Sequence, residues 1–251
     1  VPELVILGTA ASVPDATHDT VALVLRGANW AVLVDCGGSP LHKLARFGVK
    51  REQIRSVILT HRHADHLYGL PILVQGLWLS GRQASLSVHG PEDALAVARD
   101  LLELFNLAER EGMFPLAWHP IPRRERAQVL QAGDVRITAT PVVHGSWDTR
   151  ALRFDNLASG RSIVYSADTE PCQALIDLAV GADLLIHEAT GEHEGHSSPA
   201  DAADVAREAG VPRLVLIHYP VVGVDLERWR AAADGCGCQA TLAQDGEVFS
   251  L

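Results

Sequence analysis

Short apolar runs bounded by turn-forming residues recur from the start of the chain. Residues 4–7, 20–25 and 30–34 are β-branched or apolar stretches separated by Gly, Asn, Pro and Asp, which predicts a meander of strands. The second of these, Val21 to Leu25, is apolar throughout and predicts a strand buried on both faces. Leu41, Leu44, Ala45 and Phe47 form a helical stripe closed by Gly48. A strand at 57–60, helical apolar content over 67–76 and a strand at 84–88 follow. Pro91-Glu92-Asp93 reads as the first turn of a helix reaching about Leu107. Residues 108–130 fix no element beyond an extended stretch at 118–122. Strands at 134–140, 162–166, 184–186 and 214–217 complete the pattern, with helices at 172–180 and 199–209, the latter stopped by Gly210. Strands in groups with helices between them, in two similarly built halves (1–130 and 131–251), predict an α/β (α+β) protein. Two mixed sheets would pack face to face with helices outside, as a single domain over 1–251.

Charge narrows the choice of partners. The chain carries 31 acidic against 21 basic side chains, a formal net charge of −10, which repels a nucleic-acid backbone unless basic residues are concentrated locally. Arg123, Arg124 and Arg126 form the one dense basic cluster, and a solvated loop is favoured for it over a phosphate patch. Cys36, Cys172, Cys236 and Cys238 show no paired framework and read as reduced thiols; Cys236-Gly237-Cys238 is a weak metal or redox signal and is left out of the site. With no leader-like or membrane-length apolar run, the expected location is cytoplasmic.

The candidate chemistry begins where the strand at 57–60 ends. His61-Arg62-His63-Ala64-Asp65-His66 packs four potential metal ligands into six residues, and alternate side chains leaving a strand can point the same way. Four later apolar runs also end in groups able to bind metal or move a proton: His144, Asp168, His187-Glu188 and His218. This repetition predicts one shared site. His18, His42, His89, His119, His187 and His193 have no comparable placement and are expected in surface or packing roles.

The HxHxDH cluster followed by His144, Asp168 and His218 resembles the metallo-β-lactamase superfamily. Gly8 to Pro14, Asp35-Cys36-Gly37, Tyr165 to Thr169, His187-Glu188-Ala189-Thr190 and Gly195-His196-Ser197-Ser198 are similar to its ribonuclease Z branch. The resemblance covers essentially the whole chain and implies an αββα sandwich. It implies that His61, His63 and His144 bind one metal, that Asp65, His66 and His218 bind another, and that Asp168 bridges both. Imidazole and carboxylate ligands suit two Zn2+ ions, with Mn2+ or Fe2+ also compatible. Such a pair about 3.5–4 Å apart can share a hydroxide and neutralise a phosphodiester transition state. The resemblance also implies that Asp65 orients or deprotonates the attacking water, that His196 meets the scissile phosphate and protonates the leaving oxygen, and that Glu188 backs it. Asp35 would support the metal loop from behind, and Ser197 or Ser198 would cap the helix that follows.

Two features depart from the transfer-RNA-processing members. Their basic loop near the start is replaced by Pro14-Asp15-Ala16-Thr17-His18-Asp19, and the interval from His144 to Asp168 leaves room only for a hairpin over 149–165 where they carry a long arm. These departures, with the net charge, favour a small-molecule or cyclic phosphodiester over a long nucleic acid. Ribonuclease Z activity is the first alternative. Lactone, sulfate-ester or β-lactam hydrolysis is weaker, and so is a non-catalytic metal-binding subunit, because all seven ligand positions are filled. Flavin-coupled chemistry is disfavoured, since those members place a glutamate where this chain has His63. No membrane partner is expected, and the resemblance allows a homodimer.

Overall fold

The architecture comes from a computed structural model that describes residues 1–235 and 237–251. Strands β1 (Glu3–Gly8), β2 (Ala22–Arg26), β3 (Ala31–Val34), β4 (Ile54–Ile58), β5 (Leu86–Gly90) and β6 (Leu116–Pro120) belong to a first sheet. Strands β7 (Ala127–Ala132), β8 (Val135–His144), β9 (Trp147–Asn156), β10 (Ser162–Tyr165), β11 (Leu184–Glu188), β12 (Arg213–Ile217) and β13 (Gln239–Leu242) form a second. The last strand of the described residues, β14 (Val248–Ser250), returns to pair antiparallel with β1, giving two sheets of seven strands each among them. Both are mixed in the same way: an antiparallel meander (β1-β2-β3, and β7 through β10) continues into parallel strands (β4-β5-β6, and β11-β12-β13).

Period-2 alternation sorts the side chains into layers. Along β1 to β3, Leu4, Ile6, Leu23, Leu25, Val32 and Val34 face the second sheet, where they meet Ile137, Phe154, Ile163 and Tyr165. The alternate set, Val5, Leu7, Ala22, Val24 and Leu33, faces outward. There it packs under α1 (Pro40–Arg46), α3 (Leu70–Leu79) and α4 (Glu92–Leu104). This two-sided burial explains the unbroken apolar run of β2. The second sheet is covered likewise by α5 (Gln173–Ala179) and α6 (Pro199–Ala209). Each buried Leu- or Ile-sized side chain contributes about 1.5–3 kcal/mol to this layering.

Several local expectations hold and others move. The apolar content at 67–76 is split: one turn, α2 (Ala64–Leu67), precedes α3, and Gly69 lies between them. A Cβ at Gly69 would lie 2.5 Å from the Cys36 carbonyl oxygen, so only glycine lets the helix approach the 36–38 loop. Pro91 is the N-cap of α4 and not its first residue, and the helix ends at Leu104. Ser198 caps α6 in a reciprocal box with Asp201, and Gly210 at φ +67 ends it. The hairpin expected over 149–165 is β9 and β10, joined by residues 157–161 folded over the Asn156 side chain. Strand β7, the helix α7 (Leu226–Ala231), β13 and β14 were not predicted. Cys36 and Cys172 are free thiols. Cys238 is disulfide-bonded, a correction to the expectation of reduced thiols, and Cys236 lies outside the described residues. No helix among the described residues is long and apolar enough to cross a membrane.

Candidate metal centre

Strand ends of both sheets deliver the site. After β4 the chain runs through Leu59 and Thr60 into His61 and His63, and α2 carries Asp65 and His66. The loop after β3 lies directly on this turn; a Cβ at Gly37 would overlap the Asp65 carbonyl oxygen. From the second sheet, β8 ends in His144, Asp168 follows β10, β11 ends in Glu188 and His218 directly follows β12. Because β10, β11 and β12 are parallel neighbours, their ends stand side by side. Asp35, Ala167 and His218 adopt φ values of 58°, 53° and 52°. Left-handed backbone at non-glycine residues is costly, and here it clusters where the chain must turn sharply beside the site.

Asp168 occupies the middle. Its Oδ2 lies 3.7 Å from His61 Nε2, 3.4 Å from His66 Nε2, 3.9 Å from His144 Nε2 and 3.6 Å from His218 Nε2. Asp65 Oδ2 is 3.3 Å from His218 Nε2 and 3.7 Å from His66 Nε2, while His63 Nδ1 is 3.1 Å from His144 Nε2. Among the described residues, three sets of atoms could each hold a cation: His61, His63, His144 and Asp168; Asp65, His66 and His218; and Asp168, His196 and His218, every set lying within 4.8 Å.

Four of the imidazoles are aimed by a hydrogen bond at the ring nitrogen that faces away from the cluster. Nδ1–H donates from His61 to Thr60 Oγ1 (3.1 Å), from His66 to Asp35 Oδ2 (2.9 Å), from His144 to the Gly195 carbonyl (2.6 Å) and from His218 to Thr190 Oγ1 (2.8 Å). Asp35 is itself fixed by the amide and hydroxyl of Thr60. Orientation from behind is what a ligand imidazole requires.

The arrangement fits divalent cations. His61 Nε2, His66 Nε2 and Asp168 Oδ1 are buried with no hydrogen-bond partner among the described residues, although an orphaned buried polar atom costs about 1–3 kcal/mol. All three are atoms that metals accept as ligands. Burial, with the neighbouring imidazoles, holds His61 well below its ordinary pKa and His63 at about 4, so both rings are neutral with a lone pair to give. Burial also lowers His144. Burial alone would raise Asp65 and Asp168, but the surrounding histidines, His218 foremost, keep both carboxylates ionised. For His66 and His218 burial is outweighed by the charge of Asp168, which raises both; a cation at these atoms would displace those protons.

Beside the cluster stands a second pair. Glu188 is wholly buried, and its Oε1 accepts from His196 Nδ1 (2.8 Å), the Thr169 amide (3.0 Å) and the Ser197 amide (3.3 Å), while Oε2 accepts from the Thr190 amide (2.8 Å). Burial lowers the His196 pKa, but the hydrogen bond and charge of Glu188 prevail and raise it. With Nδ1 engaged, Nε2 is the nitrogen left for chemistry. The His196 ring is 4.7 Å from His144 and stacks 6.0 Å from His218. Gly195, at φ +85, supplies the carbonyl that orients His144 and has no room for a side chain, since a Cβ would lie 2.8 Å from His144 Nδ1.

Every sequence-predicted site residue therefore converges: His61, His63, Asp65, His66, His144, Asp168 and His218, with His196 and Glu188 alongside. Asp35 stands behind His66 as expected. The basic cluster is taken up elsewhere: Arg123 pairs with Asp148 at 3.3 Å, and Arg126 donates to the Asp177 carbonyl at 2.6 Å. His89 and His119 stack on each other at 4.6 Å across β5 and β6, away from the centre. Sequence reasoning missed Ser12, whose hydroxyl donates to Asp65 Oδ2 at 2.8 Å, and the orienting role of Thr60. Neither carries a local signal, because each acts through a fold contact.

Two mixed sheets layered between helices, with a His/Asp cluster where their strand ends converge, define a metallo-β-lactamase-type fold and a metal-dependent hydrolase. The chain belongs to the beta-lactamase superfamily domain family, whose model matches residues 30–219, and within it to the ribonuclease Z-like branch. It is 32% identical over 277 aligned positions to a ribonuclease Z of Synechococcus sp. (strain WH7803), covering 86% of this chain and 84% of that one. A ribonuclease Z of Methanothermobacter thermautotrophicus is 28% identical, covering 86% of both chains. Among solved structures, the metallo-beta-lactamase fold protein YhfI of Bacillus subtilis superposes with a TM-score of 0.81 at 25% identity, covering 99% and 98% of the two chains. The short form of human tRNase Z gives a TM-score of 0.78 at 25% identity, also covering 99% and 98%.

Proposed function

We propose that the protein is a dinuclear metal-dependent hydrolase of small or cyclic phosphodiesters. The observation that carries this reading is the His196–Glu188 pair, held at 2.8 Å beside a cluster built for cations. His61, His63 and His144 would hold one cation, Asp65, His66 and His218 the other, and Asp168 both. The nitrogen-rich donor set favours Zn2+, with Mn2+ and Fe2+ compatible. When bound, such a pair supplies Lewis-acid activation of water and of the phosphoryl oxygens. The chain's own residues do the rest. Asp65, an ionised carboxylate at the edge of the cluster, orients the attacking water and takes its proton. His196 carries a proton on Nε2 for the leaving oxygen, and the buried charge of Glu188 favours the protonated ring that a general acid needs.

The interval between His144 and Asp168 bears on substrate size. It is filled by β9, β10 and the five residues that join them, 157–161, at the end of the sheet away from the centre, and holds no arm to grip a long polyanion. The alignment with the Synechococcus relative runs over 277 positions, more than the whole 251 residues here, so that relative contains segments this chain lacks. Net charge of −10 and the acidic loop at 14–19 point the same way. A shared inter-sheet core supports reading residues 1–251 as one domain. The second reading is ribonuclease Z activity, favoured by the names of the relatives. A side-by-side assay of a cyclic nucleotide, bis(p-nitrophenyl) phosphate, a precursor transfer RNA, a lactone and a β-lactam separates the two. Small phosphodiesters should turn over fastest, with all turnover lost in Asp168→Ala. A metal-loaded enzyme that cleaves only the precursor transfer RNA would replace the first reading with the second.

A further inference from the structure

The hairpin that delivers His144 also delivers an aromatic side chain that no step above uses. His144 and Trp147 pair across the two-residue turn Gly145-Ser146, where Gly145 sits at φ +53. Partners directly opposite on antiparallel strands project to the same side, so the indole stands on the face that carries the His144 imidazole. Its ring lies 4.7 Å from the His63 ring at an interplanar angle of 71°. Arg62, between the first two histidines of the cluster, places its guanidinium 4.4 Å from the indole centroid, and Asp93 at the start of α4 steadies it at 3.7 Å.

Trp147 differs from the other tryptophans. Trp30, Trp78, Trp118 and Trp229 all pack against one of the three apolar clusters, whereas Trp147 joins none of them. The indole N–H groups of Trp78 and Trp229 donate to carbonyls, while those of Trp30, Trp118 and Trp147 have no hydrogen-bond partner among the described residues, so it is the packing that sets Trp147 apart. An indole only half-buried, set against an imidazole and a cation at the rim of the centre, contributes little to the core. It is suited to a flat ligand. Tryptophan faces and guanidinium planes are the surfaces on which nucleobases stack, with little dependence on which base is offered.

We infer that Trp147 and Arg62 form a nucleobase-binding subsite beside the metal centre. A base would add a layer to the Arg62–Trp147 stack while its phosphodiester lies among the clustered His and Asp side chains. The Arg62 charge, 41% exposed, would attract the phosphate in an otherwise acidic protein. This inference rests on the phosphodiesterase reading and narrows its substrate class to nucleotides.

The test uses the metal-loaded protein and two substrates that differ only in the base: adenosine 2′,3′-cyclic phosphate and 1-O-methylribose 2′,3′-cyclic phosphate. Trp147→Ala should raise KM for the adenosine ester by about 5- to 150-fold, the range for losing one base stack, and leave the base-free ester nearly unchanged. Trp147→Phe should restore most of the difference. Equal losses on both substrates, or loss of bound metal, would reduce Trp147 to a prop for His63 and overturn the inference. A second readout needs no turnover: adenosine 5′-monophosphate should quench tryptophan fluorescence in the wild type and not in Trp147→Phe, while calorimetry shows that Trp147→Phe still binds it. If the wild type hydrolyses neither ester, the phosphodiesterase reading is in trouble. Quenching that depends on Trp147 would still support the subsite, and its absence would refute it.

Discussion

Replacing Glu188 by glutamine changes two quantities that can be predicted separately. The carboxylate is wholly buried and accepts four N–H groups, three on Oε1 and one on Oε2, and no hydroxyl or carbonyl among the described residues bonds to it. A glutamine has one oxygen and one NH2 group, so whichever way the amide turns, its NH2 faces a donor. The better orientation keeps oxygen toward His196, Thr169 and Ser197 and strands the Thr190 amide. That mismatch costs about 1–3 kcal/mol. For a chain of this size the melting temperature should fall by roughly 2–12 °C, which calorimetry measures. The catalytic effect has a different signature. His196 keeps a hydrogen bond to the amide oxygen but loses the charge that favours its protonated form, so only the step needing a proton suffers. A positioned general acid contributes about 10²–10⁴-fold, and Glu188→Gln should forfeit a large part of that on alkyl esters of a nucleotide. On the p-nitrophenyl ester of the same nucleotide, whose leaving group departs without a proton, the loss should be small. The assay is the ratio of kcat/KM for the two esters, with metal content measured in parallel. Equal losses on both would refute the acid role and leave Glu188 as an organiser of the 189–198 loop.

Three further outcomes follow. His196→Ala should retain the full complement of metal by elemental analysis while turnover of alkyl esters drops about 10²–10⁴-fold; loss of one metal would instead make His196 a ligand, as its place near Asp168 and His218 permits. Chelation should lower the melting temperature, because a cation at about 100 times its Kd stabilises the folded chain by roughly 2.7 kcal/mol; an unchanged melting curve would contradict the fit of the buried unpaired His61, His66 and Asp168 atoms. Ser198→Ala removes the cap of α6 and should cost about 1 kcal/mol in denaturant unfolding, with bound metal unchanged.

Much of the centre was legible because its residues sit at the ends of apolar runs. Strand ends are where a sheet presents side chains, so His61, His144, Asp168 and His218 announced themselves by position as well as by type. The layering was legible for a similar reason: β2 is apolar on both faces because a sheet lies on one side and helices on the other. What the sequence did not disclose is what depends on distant contacts. Val248-Phe249-Ser250 becomes a strand by pairing with residues 3–5, and no local window contains both. Ser12 reaches Asp65 across 53 positions. Trp147 carried no sequence signal: only the register sets it opposite His144, with Arg62 lying across it. Gly69 read as part of a continuous helix; the backbone it must approach, at Cys36, lies in another element.

The return of β14 to the first sheet has a consequence for how the protein is made. β1 is bonded on one side to β2, but on the other its backbone waits for β14 and the turn before it: Ile6 exchanges hydrogen bonds with Gly246 and Glu247, and Leu251 N–H donates to the Pro2 carbonyl. During vectorial synthesis these partners emerge only after β1 to β13, so β1 stands as an open strand edge while those strands are being completed. A nascent chain stalled before residue 246 should therefore recruit chaperones or self-associate through β1, even though all the side chains of the proposed metal centre, the last of them His218, have already been translated.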